Sequence, residues 1–142
     1  MPAKAPSVSQ VPNYSADELR APTSVQEITH LANANGLWPP HAMIELARFT
    51  GEAKYEDADV QANLREQGVT DVEVHDCVYT TLLALWLLKK YFRNQAEILL
   101  YKPIEDKAKK SLKEKGVQRI DKLISLFKLK TVERRQWEWE FV

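Results

Sequence analysis

The feature that most constrains this chain is a run of uncharged residues from Cys77 to Leu88, bounded by Asp76 and Lys89. Val78, Leu82, Leu83, Leu85, Trp86, Leu87 and Leu88 leave it no polar face at helical spacing. Spanning a bilayer takes roughly 20 apolar residues, so this run is too short for a membrane helix. A helix that is apolar nearly all round belongs in the middle of a bundle, covered on every side by other helices. Thr70-Asp71-Val72-Glu73 reads as a capping box that starts it, and the pattern continues to about Phe92.

The rest of the chain supplies candidates for that cover. Ser24-Val25-Gln26-Glu27 reads as a capping box, with Val25, Ile28, Leu31 and Ala32 following at helical spacing up to Gly36. Trp38-Pro39-Pro40 opens a second helix, since proline is tolerated in a first turn; Met43, Leu46 and Ala47 form its apolar face, with Ile44 and Phe49 as candidates to join it. A short helix spans about Ala58 to Gln67 and stops at Gly68. Asn94 can cap a segment running through Tyr101. Pro103 then fits the first turn of another helix, about Ile104 to Lys115, stopped by Gly116. A last helix, about Val117 to Leu129, turns Val117, Ile120, Leu123, Ile124 and Phe127 inward. All four glycines follow helical patterns, which leaves none for a phosphate-cradling loop. With no convincing strand pair, the expectation is an all-α protein, a compact bundle of about five or six helices.

Two segments differ in kind. Residues 1–23 contain Pro2, Pro6, Pro12 and Pro22 and read as a flexible N-terminal arm, although Tyr14 and Leu19 could dock locally. Residues 24–130 form the helical interaction domain, and 131–142 an extended aromatic tail. In that tail Trp137-Glu138-Trp139-Glu140-Phe141 alternates with period two, so an extended chain puts Trp137, Trp139 and Phe141 on one face. Such a face is costly to expose, so it packs back on the bundle or is offered to another protein.

Charge tells a second story. The 20 basic and 20 acidic residues cancel, which argues against nucleic acid as a partner. The cancellation hides a split: residues 1–76 carry 5 basic and 12 acidic side chains, residues 77–142 carry 15 and 8. Lys107, Lys109, Lys110, Lys113 and Lys115 could form a basic face, read here either as a solvated helix surface or, through Lys109 and Lys113, as a contact for an acidic protein surface. No aromatic platform interleaves with the lysines, which weakens a nucleic-acid reading. The acidic first half could instead face this helix within the fold.

Chemistry is scarce. His30, His41 and His75 lack the i, i+4 spacing of helical zinc sites. His75 and Cys77 are two apart, which on a helix puts them on nearly opposite sides, so no nucleophilic dyad forms. Glu52, Glu56, Asp57 and Asp59 lack the glycine and ligand alternation of a calcium loop and read as a solvated connection. One cysteine excludes an internal disulfide and suits a reducing compartment. The N-terminal residues hold no apolar core of signal-peptide length. The expectation is a cytoplasmic protein with no catalytic, cofactor or metal site. Trp38 has two readings, an anchor for a partner or a wedge between helices.

Asn35-Gly36-Leu37-Trp38 with the following Met43–Leu46 helix, Leu64-Arg65-Glu66-Gln67-Gly68-Val69, the Val78–Leu87 helix and Ala108-Lys109-Lys110-Ser111-Leu112 occur in an order that resembles a known region. It is the C-terminal helical region of von Willebrand factor A domain-containing proteins of the type-5 group, found also in the vault-associated poly(ADP-ribose) polymerase. The resemblance covers roughly residues 25–115. It implies a non-enzymatic protein–protein interaction module that docks onto a large assembly, with a major vault protein-like partner. The alternative from the residues alone is a small structural subunit of a stable ciliary, cytoskeletal or mitochondrial complex, its arms wrapping neighbours. The candidate contact residues are Trp137, Trp139, Phe141, Trp38, Lys109 and Lys113.

Overall fold

A computed structural model describes residues 19–50, 57–129 and 131. Among the described residues the architecture is all-α: α1 (Gln26–Thr29), a 3-10 turn (Pro40–Ala42) leading into α2 (Met43–Thr50), α3 (Ala58–Glu66), α4 (Val72–Tyr91), α5 (Gln95–Glu114) and α6 (Ile120–Ser125). None of these helices is long and apolar enough to cross a membrane.

The apolar run does become the axis of the bundle. α4 packs against α3, α5, α6 and the 3-10 turn. Every residue from Val78 to Leu88 is buried except Trp86. Two threonines sit in this apolar centre without cost, because their hydroxyls donate to the helix's own carbonyls, Thr80 to Asp76 at 2.7 Å and Thr81 to Cys77 at 2.8 Å. The helix is capped one residue later than the box pattern predicts: Asp71, not Thr70, accepts from Val74 N–H.

Trp38 is a wedge, fully buried. Its indole N–H donates to the Ile28 carbonyl at 2.8 Å and its backbone N–H to Thr81 Oγ1 at 2.9 Å. The turn before it is built by Asn33, whose Oδ1 accepts from the N–H groups of Asn35 and Leu37. This turn lies against α5, with Lys107 Nζ donating to Ala34 O and Ser111 Oγ to Asn35 O. Gly36, at φ +78°, is required there: a Cβ would come within 2.9 Å of Ala108 N.

Three expectations need correction. The first helix is only four residues long and Ser24 makes no side-chain cap. Glu27 instead accepts from Thr23 N–H and pairs with Arg20 at 2.8 Å. The end of the expected arm is therefore part of the fold: Arg20 N–H donates to Arg48 O, its guanidinium lies over Phe49, and Pro22 is buried. Second, Pro103 does not begin a new helix; α5 is continuous through it. Asn94 caps the whole helix by accepting from Glu97 N–H at 2.8 Å. The helical donor that Pro103 lacks would have served Leu99 O, and both residues lie on the exposed side of the helix, where a carbonyl without that bond costs little. Third, the last helix begins at Ile120 rather than Val117. Val117 N–H is committed to closing α5, bonding Leu112 O beyond the left-handed Gly116, and Arg119 is itself left-handed at φ 56°. The inward set is as expected: Val117, Ile120, Leu123, Ile124 and Phe127 are all buried.

Candidate interaction surfaces

The expected contact residues fare differently. Trp38 has no surface to offer, so the partner-anchor reading is replaced by the core role above. Lys109 is turned inward along α5, 2.9 Å from Asp121 and 3.5 Å from Glu105. Lys113 is exposed. Trp137, Trp139 and Phe141 lie outside the described residues, as do Glu52 and Glu56 of the acidic connection. Asp57 is the N-cap of α3, accepting from Val60 N–H.

The basic helix is thus only partly a basic face. Lys107 is spent on the Asn33–Gly36 turn, Lys102 pairs with Asp106 at 3.1 Å, and Lys109 bridges α5 to α6. The ion pairs of Lys102 and Lys109 join residues of the second half of the chain, so they do not realise the expected match between acidic and basic halves.

The residue at the centre of these pairs, Glu105, escaped the sequence reading. Its side chain is 3% exposed, with Lys89 Nζ from α4 at 2.7 Å and Lys109 and Lys102 at 3.5 and 3.6 Å. Oε2 has no well-directed hydrogen bond, so the attraction to Lys89 there is chiefly ionic. Burial pushes the carboxyl up, but Lys89, then Lys109 and Lys102, outweigh it and hold it below the usual carboxylate range. The only sequence signal was an acid at i−4 from Lys109 and i+3 from Lys102.

Cys77 is half-buried; burial raises its thiol, which the neighbouring Lys115 does not offset. His75 stacks beside Tyr79, and no hydrogen bond joins it to Cys77. Among the described residues no group of three or more His, Cys, Asp or Glu side chains is placed to hold a metal.

A surface the sequence reading missed is the first half of α5. Ala96, Leu99, Leu100 and Pro103 recur at i, i+3, i+4 and i+7, and all four are exposed, Leu99 by 63% and Leu100 by 58%. Tyr101, Glu105, Ala108 and Leu112 occupy the buried side of the same helix. An apolar stripe of this spacing, facing away from the core, is how one helix meets another surface. Scattered surface leucines need no explanation, but adjacent ones on a helical stripe mark a patch.

The chain matches no protein-family profile, no curated protein and no solved structure.

Proposed function

We propose that this protein is a non-enzymatic docking module that attaches to a large protein assembly. The observation that carries the reading is the outward stripe of Ala96, Leu99, Leu100 and Pro103 on a helix whose opposite side is anchored in the core. The stripe is held rigidly, because Asn94 caps the helix and Lys89–Glu105 ties it to α4. A partner helix or groove with its own apolar surface fits it. The resemblance to the vault-interaction region makes a major vault protein-like assembly the first partner to test, in a cytoplasmic setting.

The test uses the full chain expressed in cells. Wild-type protein is expected to sediment with a large assembly and to leave a free pool. L99S/L100S is expected to move to the free pool with unchanged helicity. A double variant that still sediments with the assembly overturns the stripe as the contact. If wild-type protein shows no free pool, the second reading, an obligate structural subunit, takes its place.

A further inference from the structure

A second surface is a groove of about 460 Å³ between the end of α4 and the segment after α6. Trp86, Phe127 and Leu129 line it, the Trp86 and Phe127 rings 5.9 Å apart. Trp86 is the one residue between Val78 and Leu88 that is not buried. Lys90, Arg93 and Lys128 also line the groove, with Lys90 Nζ 5.8 Å from the Trp86 ring, and among the described residues no acidic one does. Lys89 lines it too but is already committed to Glu105. An aromatic wall among cations suits a ligand that is both aromatic and anionic, since rings can pack on Trp86 and Phe127 while carboxylates meet the lysines and arginine.

This chain carries such a segment. Trp137-Glu138-Trp139-Glu140-Phe141 combines three aromatic residues with two carboxylates, and it follows Leu129, itself a groove residue, by eight positions. At roughly 3.3–3.6 Å per residue the connection reaches up to about 28 Å, enough to turn and come back. A link this short gives the segment an effective concentration near the millimolar range, which favours the chain's own tail over that of a second copy. We propose that the Trp137–Phe141 segment seats in the groove of its own chain, with Glu138 and Glu140 against Lys90, Arg93 and Lys128. The aromatic tail is then a cover for Trp86 and Phe127, and the partner contact rests with α5. The proposal stands apart from the docking role, because the two use different residues.

The test is photo-crosslinking of the full chain with Trp139 replaced by p-benzoylphenylalanine. Tail peptides are expected to link to peptides holding Trp86–Arg93 or Phe127–Leu129, within one chain when isotopically light and heavy protein are mixed. K90E/R93E is expected to lower the yield about fivefold, two surface pairs being lost, and adding E138K/E140K to restore it. Helicity read by circular dichroism checks that the variants are folded. Links to other parts of the bundle, links between light and heavy chains, absence of links, or a yield indifferent to the charge reversal would each overturn the proposal.

Discussion

α4 and α5 are each 20 residues long and lie against each other, yet they solve opposite problems. α4 is covered on all sides through its middle, and its polar atoms there are satisfied within the protein. α5 buries a narrow line, Tyr101, Glu105, Ala108 and Leu112, and turns apolar residues outward. A helix buried all round can only hold a fold together. A helix buried along one line can hold its place and still present a surface. Function in this molecule is therefore sought on α5, and stability on α4 and what plugs into it.

The largest effect should come from the plug. Trp38→Ala removes a fully buried ring and the hydrogen bond it donates to the Ile28 carbonyl, and should cost about 4 kcal/mol in urea unfolding. If the loss is under about 1 kcal/mol, the α4 centre is not the stability core this comparison makes it. Next is Glu105→Gln, which strips the ionic tie between the two helices. About 2 kcal/mol is expected, because all three lysines keep part of their solvent contact and are not trapped in the interior by its loss.

Glu105 also sets a pH dependence. Its folded carboxyl titrates below the ordinary range, so its contribution is present above the unfolded value and lost as pH falls through the folded one. Wild-type stability should drop on acidification below about pH 4.5, and more steeply than that of Glu105→Gln. Parallel curves for the two proteins would remove Glu105 as the source.

A smaller effect is expected at the turn that meets α5. Gly36→Ala forces a side chain into a left-handed position with a backbone atom in its way, and about 1–2 kcal/mol should be lost in thermal or urea unfolding. The smallest is L99S/L100S, within about 0.5 kcal/mol of wild type, since both side chains are already exposed. A large destabilisation by that pair would mean the stripe serves the fold, and the contrast between the helices would narrow.

Much of the fold was legible because hydrophobic periodicity is a local property. The core positions of α4 and the inward set ending at Phe127 follow from spacing alone. Where the reading failed, a local pattern met a competing contact. Ser24-x-x-Glu27 reads as a capping box, yet Glu27 is drawn to Arg20 and Thr23. Pro103 reads as a helix start, yet its place on the exposed side lets α5 run through. Val117 reads as a first helical residue, yet its N–H closes the preceding helix.

The sites were less legible. Lys109 reads as a charge on a helix face and Glu105 as nothing in particular, and spacing cannot tell that α4 and α6 approach there with Lys89 and Asp121. Leu99 and Leu100 read as ordinary helical residues, and their exposure depends on which side of α5 the core occupies.

By itself the sequence determined the helical class, the central place of α4 and most of the residues that line the core. Only the tertiary structure decided that Trp38 is a plug, that Glu105 is a buried acid, and that Leu99 and Leu100 face outward. The reason is physical: periodicity says which side chains must leave water, but only the approach of one element to another says which polar groups are trapped with them and which apolar ones are left behind.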